Sequence, residues 1–235
     1  MNASVSIYAI VPCAGSGLRF SDDPRPKQYH SIHGKTVLEH AVDALLAHPS
    51  IKQIVVSLAA TDDYFAQLAM SQHHKIHRAQ GGARRMDSVF AALNQIKHLV
   101  KADDWILVHD AVRPLLDKAL LQAFLEQVMQ HPVGGILVNP VTDTIKTTQK
   151  RSLDRTQLKR AVTPQMFRFA SLYQTLRQAQ QTGLEVTDEA QAIEQLNLDY
   201  AFVETTSNMQ KLTFLHDLTL IQSILNEKNK LGVCV

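Results

Sequence analysis

Short, nearly continuous runs of Val and Ile alternate with helix-periodic segments along most of this chain, and that alternation limits the fold more than any other feature. Residues 7–12, 53–58, 105–109 and 135–139 have strand length and little polar interruption. Strands buried on both faces of a parallel sheet read this way. Between the first two runs, Val37, Leu38, Ala41, Val42, Leu45 and Leu46 recur at helical spacing. Thr36 and Glu39 form a capping box ahead of them, and Pro49 follows their end. Residues 88–96 and 120–129 have the same helical character. Strand, helix, strand, helix predicts an open α/β sheet with right-handed crossovers.

The pattern changes after Pro140. Residues 142–149 are β-branched and alternate in polarity, and 150–160 are strongly charged. This predicts a half-exposed pair of strands projecting as an arm over about 141–161. Helical spacing returns at 169–179, strands are expected at 200–204 and 211–214, and a closing helix at 218–225. There is no internal repeat and no low-complexity linker, so 235 residues read as one domain, 1–235, with an arm.

Composition serves mainly to exclude. An apolar fraction of 45% rules out wholesale disorder. No window approaches the roughly 18 uninterrupted apolar residues of a membrane span. No cationic stretch precedes an apolar run at the N-terminus, so a cytoplasmic location without a membrane partner is expected. Cys13 and Cys234 make neither a metal-ligand spacing nor a disulfide framework. A net charge of +2 with both signs interspersed does not indicate nucleic acid. An anionic small molecule must therefore be met by a local cluster of cations.

Three loops are candidates for that cluster. The first is Pro12-Cys13-Ala14-Gly15-Ser16-Gly17-Leu18-Arg19-Phe20, where small residues after the first strand let backbone N–H groups approach an anion. A P-loop reading fails because Tyr29 occupies the first glycine position ahead of Gly34-Lys35-Thr36. A dinucleotide fingerprint is weak: Phe20 follows Gly15 and Gly17, and Leu58-Ala59-Ala60 lacks the ribose-binding acid. A nucleotidyltransferase loop would use Arg19 and Lys27, with Pro24 and Pro26 stiffening the approach. The alternative is a plain turn with solvated charges.

The second loop, Gly81-Gly82-Ala83-Arg84-Arg85-Met86-Asp87-Ser88, is a glycine turn opening into a helix whose free N–H groups suit a base edge or a phosphate. It reads equally as a helix capped by Asp87 or Ser88. The third, His109-Asp110-Ala111-Val112-Arg113-Pro114, sets a carboxylate just past a strand end, where open sheets gather ligands. One carboxylate plus substrate phosphates suits Mg²⁺, although Asp110 and Arg113 also read as a loop ion pair. Cys13 and Trp105 read as packed residues, and His73, His74 and His77 as a solvated cluster.

In order along the chain, these loops and four further segments (Pro26-Lys27-Gln28-Tyr29, Pro140-Val141-Thr142-Asp143-Thr144-Ile145-Lys146, Thr163-Pro164-Gln165 and Thr187-Asp188-Glu189-Ala190) resemble the 2-C-methyl-D-erythritol 4-phosphate cytidylyltransferase family. The resemblance implies a Rossmann-like nucleotidyltransferase fold with a projecting β-arm. It implies that CTP and methylerythritol phosphate give the cytidine diphosphate alcohol and pyrophosphate, with Mg²⁺, in the non-mevalonate isoprenoid pathway. It also implies a homodimer whose arms reach across to the partner's site. Carried over by position, Ala14, Gly15, Gly17, Gly82 and Ser88 would surround the nucleotide. Asp110 would hold the metal, and Arg19 and Lys27 the triphosphate. Arg113, Thr144, Arg155, Thr163, Thr187 and Lys211 would serve the acceptor phosphate, with Arg155 coming from the other subunit.

Departures from the family pattern are Cys13 in place of alanine, an acidic stretch at Ser21-Asp22-Asp23, and Met209 where an asparagine usually precedes Lys211 by two. The rivals are a ribitol 5-phosphate cytidylyltransferase, a nicotinamide-dependent oxidoreductase and a silent nucleotide-binding regulator.

Overall fold

A computed structural model of the chain describes residues 5–15, 20 and 23–230. Its strands are β1 (Ile7–Cys13), β2 (Ser31–Ile32), β3 (Lys35–Thr36), β4 (Ile51–Leu58), β5 (Ile76–Gln80), β6 (Trp105–Val108), β7 (Gly134–Pro140), β8 (Lys159–Arg168) and β9 (Ala201–Glu204). The helices are α1 (Val37–Ala47), α2 (Arg85–Ile96), α3 (Lys118–Val128), α4 (Phe169–Thr182), α5 (Glu189–Glu194) and α6 (Leu215–Lys230). A seven-stranded sheet runs in the order β5-β4-β1-β6-β8-β7-β9, and β2 and β3 form a small separate hairpin. The sheet is parallel except where β8 runs antiparallel to β6 and β7, which is the mostly parallel α/β sheet expected.

Alternation along β1 shows why its apolar run is continuous. Ile7, Ala9, Val11 and Cys13 pack with α1 and α3 on one face, while Tyr8 and Ile10 pack with α2, α4 and α5 on the other. Both faces are covered, so no position needs a polar side chain. The capping box at α1 is present, with Glu39 N–H donating to Thr36 Oγ1 at 3.2 Å and Thr36 N–H to Glu39 at 2.8 Å. Trp105 is core, and the Arg168 guanidinium lies 3.6 Å from its ring centre. From β1 the chain winds to β4 and β5 on one side and then returns to β6 on the other. The carboxyl ends of β1 and β6 therefore flank the crevice where such sheets bind ligands.

Four strands are additions to the sequence reading: β2 and β3, at two residues each too short to show a pattern, and β5 and β8 in the large sheet. β5 is an edge strand whose polar residues His77 and Arg78 hide its character. β8 carries Pro164 in its middle, which argues against a central strand. The proline is tolerated because the β7–β8 register shifts between Ile136 and Val138, leaving residues 162–164 outside regular pairing.

Two expectations are corrected. Residues 211–214 form no strand; the Asp217 carboxylate captures the Thr213 and Phe214 N–H groups at 2.8 Å each and caps the approach to α6. The arm carries one bridge, Lys146 to Ser152, in place of two strands, followed by a short 3-10 turn at Arg155–Gln157. Its apolar members Ile145 and Leu153 stay 37% and 43% exposed, so burial does not drive further pairing.

Candidate active site

The loop after β1 begins with Ala14 and Gly15, both lining a cleft at the sheet's carboxyl edge. Beside it, Pro26 introduces a 3-10 turn at Lys27–Tyr29. Gln28 Nε2 donates to the Cys13 carbonyl at 3.1 Å, fastening that turn to the end of β1. Lys27 thereby lines the same cleft as Ala14, Gly15, Gly82, Ser88 and Asp110. Cys13 is packed, and burial pushes its thiol pKa up, which suits a small core residue and not a nucleophile. Gly17 and Arg19 lie outside the described residues.

The opposite wall is the glycine turn before α2. A Cβ on Gly81 would stand 2.5 Å from Ala14 Cβ, and one on Gly82 2.4 Å from Asp87 Cβ, so the turn can close only with glycine at both positions. Ser88 shapes it by accepting from Gly82 N–H at 3.1 Å. Asp87 accepts from the backbone N–H, Nε and Nη2 of Arg84 at 3.2, 3.0 and 2.9 Å. That hydrogen bonding, above all from the Arg84 side chain, lowers its pKa. Capping and cleft lining thus coexist in this turn.

At the end of β6, Asp110 is buried and gathers three cations. Its Oδ1 accepts from Arg85 Nε at 3.0 Å, and its Oδ2 from Lys211 Nζ at 3.0 Å and Arg113 Nε at 3.3 Å. Burial alone would push this carboxyl up, but the charges of Arg85, Lys211 and Arg113 outweigh it and hold the pKa far below the usual range. Arg113 is anchored in turn by donating to the Met209 carbonyl, and Leu212 N–H donates to the Val112 carbonyl at 2.8 Å. These two bonds hold the Lys211 loop where the family asparagine is missing.

The backbone under Asp110 is fixed by a relay. The Arg113 carbonyl can only accept, so His109 Nε2, 3.0 Å away, carries the proton. Its Nδ1 then accepts from the Thr163 hydroxyl at 3.1 Å, and that oxygen accepts from Asp110 N–H at 3.0 Å. Burial pushes the His109 pKa down to about 4, consistent with a neutral ring. His109 is one of the residues that the sequence reading left without a role.

A second cleft adjoins the first, lined by Arg113, Thr163, Gln165, Thr187 and Asp188. Arg85, Asp110 and Lys211 line both clefts and form their common wall. Arg85 and Lys211 against Asp110 leave an excess of one positive charge at that wall.

The model of the 2-C-methyl-D-erythritol 4-phosphate cytidylyltransferase family (IspD) matches residues 7–227. The chain is 42% identical over 229 residues to the enzyme of that name from Vibrio atlanticus, covering 96% of this chain and 97% of the relative. The corresponding protein of Ectopseudomonas mendocina is 39% identical over 233 residues, with 97% and 99% covered. The crystal structure of Francisella tularensis 2-C-methyl-D-erythritol 4-phosphate cytidylyltransferase superposes with a TM-score of 0.80 at 31% identity, over 93% of this chain and 99% of that one. This chain belongs to the 2-C-methyl-D-erythritol 4-phosphate cytidylyltransferase family.

Of the positions carried over from the family pattern, Ala14, Gly15, Lys27, Gly82, Ser88, Asp110 and Lys211 share the first cleft, and Arg113, Thr163 and Thr187 line the second. Thr144 and Arg155 lie on the exposed arm and line neither; Arg155 donates to the Thr142 carbonyl within its own arm. Among the described residues no group of three His, Cys, Asp or Glu side chains gathers as a metal site. Among the described residues lining the first cleft, Asp110 is the one carboxylate. A carboxylate has about four lone-pair positions, and the three occupied here leave room for one bond to an ion whose other ligands are substrate phosphates and water. The donors thus fit a magnesium ion that arrives with a nucleotide. No helix among the described residues is long and apolar enough to cross a membrane.

Proposed function

We propose that this cytidylyltransferase transfers CMP from CTP to 2-C-methyl-D-erythritol 4-phosphate, releasing pyrophosphate, within the non-mevalonate isoprenoid pathway. The observation that carries the reading is the wall of Arg85, Asp110 and Lys211 common to two adjoining clefts. One cleft has the glycine turns that admit a nucleotide, and the other a polar, cation-edged lining suited to an alcohol phosphate. Family membership and the relatives' names support the two substrates; nothing favours ribitol 5-phosphate or a nicotinamide.

Both reactants are polyanions, so repulsion between them is the first barrier. Lys27 on one side and Lys211 and Arg113 on the other lower it by surrounding the meeting point with positive charge. An acceptor phosphate oxygen then attacks the α-phosphorus of CTP in line, the bond to the β-phosphate oxygen breaks, and pyrophosphate leaves. A phosphate monoester ionises with a second pKa of about 6, so its oxygen is already nucleophilic and no general base is required. The protein's work is positioning and charge stabilisation.

Lys27 and, by position, Arg19 hold the triphosphate. Ala14, Gly15, Gly17, Gly82 and Ser88 surround the cytidine. Asp110 would hold Mg²⁺ through its remaining lone pair, and the ion would supply charge neutralisation of the phosphate oxygens. Arg113, Thr187 and Lys211 receive the acceptor; Thr163 acts on it through the Asp110 backbone. Thr144 and Arg155 complete the acceptor cleft of a second copy in a homodimer joined through the arms. Their exposure, and their absence from the clefts of their own chain, support that assembly. A cytoplasmic location goes with CTP as the donor.

The test is pyrophosphate release with CTP crossed against UTP, and methylerythritol phosphate crossed against ribitol 5-phosphate. Turnover should require CTP and methylerythritol phosphate together; equal or faster turnover with ribitol 5-phosphate would overturn the assignment.

A further inference from the structure

Arg85 opens α2 directly after the glycine turn, and its guanidinium reaches two other elements. Nη1 and Nη2 donate to the two carboxylate oxygens of Glu189 at 2.7 and 3.0 Å, and Nε donates to Asp110 Oδ1 at 3.0 Å. Glu189 opens α5 and is 1% exposed. Burial pushes its carboxyl pKa up, against the pull of Arg85. α5 is tied to β8 as well: Gln165 Nε2 donates to Asp188 Oδ2, and Gln165 Oε1 accepts from Ala190 N–H, both at 3.0 Å. One side chain therefore spans the nucleotide turn, the turn after β6 and the helix that follows Thr187.

Stability alone does not account for this arrangement. A largely buried Arg–Glu pair, with Glu189 enclosed and Arg85 partly so, loses hydration on both partners, and hydrophobic replacements of similar volume often hold a fold equally well. What the pair does here is geometric. With Nη1 and Nη2 locked on Glu189, Nε has one direction left, and Asp110 Oδ1 lies in it. That fixes the rotation of the Asp110 carboxylate and leaves Oδ2 to receive Lys211 and Arg113. Lys211 has a long flexible stem and a side chain 41% exposed, so Oδ2 is what holds its ammonium at the wall between the clefts.

We propose that Arg85, clamped by Glu189, is a positioning residue of the transfer reaction: it orients Asp110 and, through Asp110, sets Lys211 where the two phosphates meet. The inference rests on the reading of the site as a cytidylyltransferase. Arg85→Lys keeps the charge but loses the planar three-point fork, and Glu189→Gln keeps the volume but removes the charge that locks it.

The experiment is steady-state pyrophosphate release with CTP and methylerythritol phosphate for wild type, Arg85→Lys, Glu189→Gln and the double variant. All are assayed well below the lowest melting temperature of the set. Each single variant should lose about tenfold or more in kcat, as misplacement of a charged group does. KM for CTP should stay within about threefold, because Gly82–Ser88 and Arg84–Asp87 hold the nucleotide turn independently. The double variant should be no more than about threefold slower than the worse single, since both act through one linkage. Wild-type kcat in both singles, losses that multiply in the double, or a CTP KM that rises in step with lost kcat would overturn the positioning role alone. A wild-type protein without turnover would overturn this role together with the function it rests on. If Arg85→Lys fails to fold, Glu189→Gln carries the same kcat and KM comparison.

Discussion

Replacing Asp110 with asparagine removes the counter-charge that Arg85, Arg113 and Lys211 share while keeping the side chain's size. In the wild type the carboxylate accepts from Arg85 Nε and Lys211 Nζ at 3.0 Å and Arg113 Nε at 3.3 Å. Asparagine retains one acceptor oxygen and turns an NH₂ group toward a cation. Removing one partner of a buried ion pair costs about 3–5 kcal/mol. The Lys211 and Arg85 side chains are 41% and 24% exposed, so water screens part of the loss and the low end, about 3 kcal/mol, applies. For a chain of this size, about 2–4 °C per kcal/mol predicts a melting temperature lower by roughly 6–12 °C. Turnover should fall by about a hundredfold, since Lys211 loses the carboxylate charge that holds it. Added pyrophosphate should recover more melting temperature in the variant than in wild type, because an anion can replace the missing charge. Thermal unfolding with and without pyrophosphate, run beside the turnover assay, measures all three. A melting temperature within about 2 °C of wild type, with turnover within about threefold, would refute the view that Asp110 organises these cations.

Lys27→Ala should lower kcat by about a hundredfold, the loss expected for a preorganised donor to a developing charge; normal turnover would remove Lys27 from the triphosphate. Arg155→Ala should raise KM for the alcohol phosphate with kcat little changed, and unaltered kinetics would remove the arm from the acceptor site. The pH dependence of stability should carry a mark of His109. Its folded pKa of about 4 lies below the ordinary 6.5, so the unfolded chain binds the extra proton first as pH falls. Stability is therefore lost from about pH 6.5 down to pH 4, by about 3 kcal/mol in all. Urea midpoints between those limits should fall less steeply in His109→Asn than in wild type, and equal slopes would contradict the neutral relay.

Alternation of apolar runs with helical periods was enough to place β1, β4, β6 and β7, because two-sided burial leaves a continuous apolar signature, and it also placed the edge strand β9 and the longer helices. It was insufficient where the chain solves its burial problem differently. β5 sits at an edge and needs few apolar residues, and β8 hides a proline where pairing lapses. The Lys211 segment, Lys211-Leu212-Thr213-Phe214, alternates in polarity as a strand does, but Asp217 takes its backbone donors. In the site, the glycine turns and the Asp110 turn were legible because small residues and strand ends obey local rules. Arg85 and Glu189 were visible only as members of a pattern, since their pairing joins residues 104 positions apart and no local spacing announces it. The neutral tautomer of His109 likewise depends on a carbonyl and a hydroxyl that only the folded chain brings together.

In the proposed reaction the two phosphates meet directly at the wall of Arg85, Asp110 and Lys211. The stereochemistry at the α-phosphorus tests this without intermediaries, using a CTP analogue that carries one sulfur in place of a non-bridging α-oxygen. A single in-line displacement inverts the configuration in the product, and inversion is the predicted result; retention would mean that the protein itself first takes up the nucleotidyl group, and would contradict direct attack.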